Sequence, residues 1–189
     1  MENIPIAMSR ENLDNIPDYP LPPGCKFRFF KRGEELVWAQ IQVNVGAFES
    51  IEQAMERFNK DFAPHMDEFE QRCVFLVEET TGQVIGSTIA WYHPDREGDD
   101  RGRIHWVVII PEFQGRKLAK PMLAEAMRLL RACHHKKVHL WSMTTAQKAI
   151  NMYLDFGFVP ANVSERFEEA WGALAEALGH PILEPYKLK

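Results

Sequence analysis

The chain of 189 residues carries 22 Lys and Arg against 27 Asp and Glu, a net charge of −5, and is 46% hydrophobic. That apolar content suffices for a packed core, while the acidic balance excludes a general nucleic-acid binder, whose affinity would rest on neutralising many phosphates. Cys25, Cys73 and Cys133 make no CxxC pair and no run approaches the roughly 18 apolar residues of a membrane span, so a cytoplasmic protein without membrane partners is expected.

In chain order, residues 1–24 hold Pro5, Pro17, Pro20, Pro22 and Pro23, which rule out a regular helix and predict an extended, proline-rich N-terminal arm. Everything from 25 to 189 reads as a single domain, with no internal repeat or linker. Residues 25–31, CKFRFFK, alternate as a strand closed by Gly33. Residues 34–45 space Val37, Trp38, Ile41 and Val45 as a helix that Gly46 stops. A second helix follows Ser50 as its N-cap, and Ala54, Met55, Phe58 and Phe62 form its buried stripe. These aromatics read as core.

CVFLVEE (73–79) and VIGSTIAWYH (84–93) flank TTGQ as a hairpin, and PDREGDDRG is a polar loop with a solvated tip. RIHWVVII (103–110) is apolar on both faces in its second half, as a central strand is. Pro111 ends it. From about Gln114 the residues Leu118, Met122, Ala126, Leu129, Leu130 and Cys133 trace a helix whose last turn, RACHHKK, is cationic and suits the negative end of the helix dipole. VHLWSM (138–143) is a further strand, 144–158 a further helix, and Ser164 is expected to cap a last helix striped by Phe167, Trp171, Leu174 and Leu178 and ended by Gly179. LEPYKLK suggests a final strand. Strands alternating with helices predict an α/β sheet containing a parallel pair.

The stretch IIPEFQGRKLAKPML is the most informative. A helix N-terminus presents unpaired N–H groups and about half a positive charge, and Gly115 and Ala119 leave room for a phosphate there. Arg116 and Lys117 add cationic donors. Gln114 to Ala119 resembles the coenzyme A loop of the GNAT superfamily of N-acetyltransferases, R/Q-x-x-G-x-G/A, with Lys117 where the family has its central glycine. AINMYLDFGF resembles the family's downstream A-x-x-x-Y-x-x-x-G-F block. Ala146 stands where the family often has a coenzyme-contacting asparagine, and Asp155 where a lysine is frequent.

The resemblance implies a GNAT fold: a mixed sheet of six or seven strands flanked by helices, with a V-shaped splay between the fourth and fifth predicted strands. It implies acetyl-CoA as acyl donor, its pantothenate paired with the backbone of Val108, Ile109 and Ile110, and its diphosphate held by Gln114, Gly115, Arg116, Lys117, Leu118, Ala119 and Lys120, with Ala146 nearby. The acceptor would be a primary amine, small molecule or peptide N-terminus, attacking directly in a ternary complex. A homodimer is also compatible.

Tyr153 is the expected acid for the leaving thiolate, since thiol and phenol pKa values of about 8.5 and 10 are close; its alternative is a ring packed for shape. His105 is the expected base. It lies four residues before Ile109 and so should share its strand face, with a free-solution pKa near about 6.5; its alternative is a histidine hydrogen-bonded under the sheet. A backbone N–H near Ile109 would stabilise the carbonyl oxygen as it gathers charge. Cys133, His134, His135 and His139 match no established ligand spacing, so no metal is expected. Glu78, Glu79, Trp91, Tyr92 and His93 lie near the sheet end where an amine would enter. The competing function is a catalytically weak, coenzyme-binding regulatory or interaction module of the same fold.

Overall fold

A computed structural model describes residues 1–92 and 101–187. His93 and the polar loop up to residue 100 lie outside the described residues. The strands are β1 (Pro5–Arg10), β2 (Cys25–Phe29), β3 (Cys73–Glu78), β4 (Val84–Trp91), β5 (Arg101–Ile109), β6 (Lys137–Met143) and β7 (Val159–Ala161). The helices are α1 (Glu35–Asn44), α2 (Ile51–Asp61), α3 (Met66–Arg72), α4 (Ala119–Ala132), α5 (Gln147–Asp155) and α6 (Phe167–Leu178). Among the described residues the strands form one seven-stranded sheet in the order β2-β3-β4-β5-β6-β1-β7. Neighbours are antiparallel except β5 and β6, which run parallel. No helix among the described residues is long and apolar enough to cross a membrane.

Only residues 11–24 of the N-terminal segment lie on the domain as irregular chain, with Leu13 buried and Ile16 and Tyr19 against the core. Pro5–Arg10 is a strand of the sheet, paired with β6 on one side and β7 on the other. Ile4, Ile6 and Met8 are buried at the alternate positions that a strand turns to one face. Thr144 anchors its start, accepting from the Ile4 amide at 2.9 Å and donating to the Glu2 carbonyl.

Other boundaries move for local reasons. A helix from Gln114 is not formed, because a 3-10 turn at Pro111–Phe113 and left-handed backbone at Gly115 and Lys117 delay α4 until Ala119. α5 starts at Gln147, since Thr144 is spent on β1. α6 starts at Phe167 after Arg166, not at a Ser164 cap. The tail at Pro181–Tyr186 is 3-10 helix instead of a strand, as Pro181 and Pro185 withhold two amides from any ladder. Ser50 does cap α2, accepting from the Gln53 amide, and Gly179 ends α6 in the left-handed region.

Two apolar clusters hold the sheet. On the α1–α3 side Phe30, Trp38, Phe58, Phe62, Phe69 and Trp91 pack in tilted and edge-to-face pairs, for example Trp38 edge-on to Phe62 at 5.8 Å. The other cluster joins β1 to Leu123, Met127, Leu130, Ile150 and Trp171.

The feature that matters for function is how β5 leaves β6. The two strands pair only at Arg101–Lys137, Gly102–Val138 and Arg103–His139. Gly102 permits this closed end: a Cβ there would stand 2.6 Å from Leu130 Cδ2 of α4. Beyond Arg103, β5 follows β4 instead, and Thr88 alone spans the interval that takes Trp106 and Val107 on β5. Such a bulge bends its strand, and Trp106 marks it with φ +52°. A V-shaped slot opens between β5 and β6, as expected.

Candidate active site

The donor-rich loop forms one end of the slot. The backbone amides of Gly115, Arg116, Lys117, Leu118, Ala119 and Lys120 donate to no backbone carbonyl of the described residues. Gly115 and Lys117 both take positive φ, +77° and +62°. Consecutive amides turned by left-handed residues make a concavity for an anion, reinforced by the start of the 14-residue helix α4. Lys117 accepts this backbone as a non-glycine residue, at a cost of about 1–2 kcal/mol. The missing motif glycine thus has a backbone explanation.

A cavity of about 460 Å³ runs from this loop into the slot. Val107 and Ile109 line it from β5, Gln114, Gly115, Lys117 and Leu118 from the loop, and Lys148, Ala149, Met152 and Tyr153 from α5. Backbone groups along a strand face alternate sides, and Ile110 spends its amide on the Ile85 carbonyl of β4 at 2.9 Å. Ile109 therefore turns its backbone to the slot, where its carbonyl accepts from Gln114 Nε2 at 2.8 Å.

A second cavity, of about 380 Å³, opens on the α1–α2 side of the same slot. Phe48, Trp106 and Trp141 give it aromatic walls, while Arg57, Arg103 and His105 bring polar heads. Val107 and Tyr153 line both cavities, so the two meet there.

His105 is not on the Ile109 face. Its partner Ile89 shares a face with Ser87, two residues away, and Ser87 faces Val108, so the bulge sets His105 and Val108 on one face and Ile109 on the other. The imidazole meets Asp61 instead, Nε2 to Oδ2 at 4.0 Å, which is electrostatic proximity more than a hydrogen bond. Burial pushes its pKa down to about 4 despite the opposing Asp61 carboxylate. Burial pushes Asp61 up, but His105 and Arg57, the latter at 2.6 Å, outweigh it and leave the carboxyl below its usual range.

Tyr153 is buried in α5 at 9% exposure, its ring 6.0 Å from that of Phe158. The amides of Phe156 and Phe158 both bond the Tyr153 carbonyl and fix the helix end from which the side chain projects. Burial raises the phenol to about 12, so it keeps its proton at any ordinary pH.

The remaining expected contacts divide. Val108 lines the second cavity instead of the first. Arg116 packs over the Phe113 ring at 4.4 Å and donates to the Glu112 carbonyl. Lys120 pairs with Asp155 at 3.1 Å and lies over Tyr19, so the carboxylate that stands where the family often has a lysine is held by the first turn of α4. Ala146 precedes α5 and spends its amide on the Met143 carbonyl. Sequence reasoning missed Arg57, Asp61, Arg103 and Trp106. Three of them had signals, an i, i+4 Arg–Asp pair on α2 and a polar residue alternating with His105 on an otherwise apolar central strand, whereas the bulge that turns Trp106 has none. Among the described residues no group of three or more His, Cys, Asp or Glu side chains is disposed to hold a metal.

A mixed sheet parted between two parallel strands, with free amides at one end of the parting and a buried tyrosine in it, defines the GNAT fold class. The sequence profile of the Acetyltransferase (GNAT) family matches residues 34–158, and the chain belongs to that family. It is 27% identical over 164 residues to a mycothiol acetyltransferase of Sanguibacter keddieii, covering 85% of this chain and 52% of that one. To the mycothiol acetyltransferase of Pseudarthrobacter chlorophenolicus it is 28% identical over 149 residues, 76% of this chain and 45% of the relative. The chain spans about half the length of the curated relatives it matches. Among solved structures, a GCN5-related N-acetyltransferase from Sphaerobacter thermophilus superposes with TM-score 0.68 at 19% identity, covering 84% of this chain and 49% of that chain. A GNAT-family acetyltransferase from Colwellia psychrerythraea gives 0.65 at 9% identity, covering 84% and 53%.

Proposed function

We propose that the chain transfers an acetyl group from acetyl-CoA to a primary amine within a ternary complex. The observation that carries this is the meeting of two cavities at Tyr153, one rooted in free backbone amides, the other walled by aromatic and polar side chains. Acetyl-CoA supplies a thioester whose carbonyl carbon takes the amine nitrogen and whose sulfur leaves as thiolate. The loop amides of residues 115–120 hold the diphosphate, and the Ile109 N–H faces the oxygen that gathers negative charge. As the C–N bond forms and the C–S bond breaks, the Tyr153 hydroxyl gives its proton to the sulfur and is reprotonated from solvent.

His105 takes the proton that the attacking nitrogen releases, directly or through water. Its lowered pKa keeps the imidazole neutral at pH 7 but makes it a weak base. An alkylammonium near pKa about 10 would lose its proton to such a group at a cost of about 8 kcal/mol. The amine therefore enters already neutral, and His105 acts after attack.

The test is release of free thiol from acetyl-CoA with a panel of primary amines, beside calorimetry of acetyl-CoA binding. Binding with amine-dependent thiol release is expected. Binding without turnover on any amine would return the protein to the regulatory-module reading, which no contact favours at present.

A further inference from the structure

Arg57 and Arg103 both reach the second cavity, yet the only carboxylate among the residues described around it is Asp61. Arg57 Nε binds that carboxylate at 2.6 Å. Arg103 makes no hydrogen bond or ion pair with the described residues, and its Nε is buried without a partner. Burial lowers the guanidinium pKa, Asp61 opposes this, and Arg57 adds to it, as expected for a cation held in excess. With His105 neutral, two guanidinium groups face one carboxylate. A buried charge left uncompensated is expensive, by several kcal/mol per ion, and such sites persist where a ligand completes them.

A second unpartnered donor belongs to a residue that lines the same cavity. Trp106 Nε1 is also buried without a partner, on a residue held at φ +52°. Left-handed backbone at a bulky residue costs about 1–3 kcal/mol and clusters at functional sites. Here the bulge turns the indole into the cavity, edge-on to Trp38 at 5.9 Å and beside Phe48 at 5.4 Å. Arg103 and His105, two residues apart on the unbroken part of β5, share the face that looks into it.

We infer that the acceptor is an aminocarboxylate: a small amine whose own carboxylate is bound by Arg103, assisted by Arg57 and the Trp106 N–H, while its amino group points toward Tyr153. The inference rests on the acyl-transfer reading and narrows it. One cation in excess matches a carboxylate monoanion, and the planar fork of an arginine suits its two oxygens. A plain diamine or polyamine would place a further cation against two guanidinium groups.

The experiment pairs each aminocarboxylate with its decarboxylated twin: phenylalanine with phenethylamine and lysine with cadaverine, adding β-alanine against 2-aminoethylphosphonate. The full chain is titrated with each in the presence of coenzyme A, following the fluorescence of Trp106 and Trp141, and thiol release from acetyl-CoA gives kcat/KM. The carboxylate member is expected to lead its twin by at least about tenfold in both readouts, and Arg103→Met to bring the ratio near one. Arg57→Met, at a more exposed position, should lower the ratio part way and serves if Arg103→Met does not fold. Equal or tighter binding of the decarboxylated amines, preference for the phosphonate, binding of no pair, or an Arg103→Met ratio equal to wild type would each overturn the inference. The fluorescence titration needs no turnover, so failure of acyl transfer is seen separately in the thiol assay.

Discussion

Lys117 occupies the position where the loop before α4 bends left-handed, at φ +62°. An L-residue there costs about 1–2 kcal/mol, whereas glycine adopts it freely but loses about 0.5–1 kcal/mol of extra chain entropy on folding. Lys117→Gly should therefore stabilise the protein by about 0.5–1 kcal/mol, which for a chain of this size raises Tm by about 1–4 °C. Lys117→Ala retains the Cβ and its strain, so its Tm should stay within about 1 °C of the parent. Lys117 is exposed, and two unit charges about 4 Å apart in water interact by only about 1 kcal/mol. Either variant should thus weaken acetyl-CoA binding by no more than about tenfold, because the amides remain. Scanning calorimetry and isothermal titration read the two quantities. Equal Tm shifts in both variants would refute backbone strain, and a hundredfold loss of affinity in both would show the ammonium, not the backbone, to be the anchor.

Tyr153→Phe should lower kcat by about 100-fold while leaving the Kd for acetyl-CoA nearly unchanged, and an unaltered turnover number would remove the hydroxyl from the chemistry. The same variant should resist alkali better: the phenol pKa, raised to about 12 by burial, contributes stability that is complete below pH 10 and is lost by about 2–3 kcal/mol as pH rises to 12. His105 has the opposite sign. Its pKa of about 4 lies below the unfolded value, so its contribution is present above pH 6.5 and falls by about 2 kcal/mol between pH 7 and 5; urea titrations should show His105→Asn flatter over that window. Gly86→Ala would place a Cβ 2.6 Å from the Val108 carbonyl oxygen across the ladder, and overpacking against backbone should cost about 1–3 kcal/mol, read as a Tm drop of several degrees.

Periodicity located the elements that bury a face. α2 and its Ser50 cap, the β3–β4 hairpin and the apolar half of β5 all stand where their spacing put them, because for them burial alone decides the conformation. The segments that failed are governed by backbone groups or by distant partners. Pro5 masked the Ile4, Ile6, Met8 alternation, and only pairing with β6 and β7 makes a strand of that segment. The start of α4 was set too early, since Leu118 fits the helical stripe while the left-handed φ of Lys117 has no signature in a lysine. The motif blocks singled out Tyr153 and the 114–119 loop, and the fold brings both to the lining of one cavity. The Asp61–His105 neighbourhood was not, because counting by two along β5 assumes an unbroken pleat.

That broken pleat joins fold to chemistry. Without the extra residue at Trp106–Val107, β5 would continue beside β6 and its slot-facing backbone groups would be spent on a ladder. With it, Ile109 turns inward to the cavity at the 115–120 loop, while Arg103 and His105 are carried to the other face. One inserted residue thus separates the first cavity from the second and leaves Tyr153 at their junction. The strain at Trp106 is sustained because the indole packs against Trp38 and Phe48. Trimming those aromatics should relax the bulge and degrade both chambers together, whereas substitutions confined to the 115–120 loop should affect the first chamber alone.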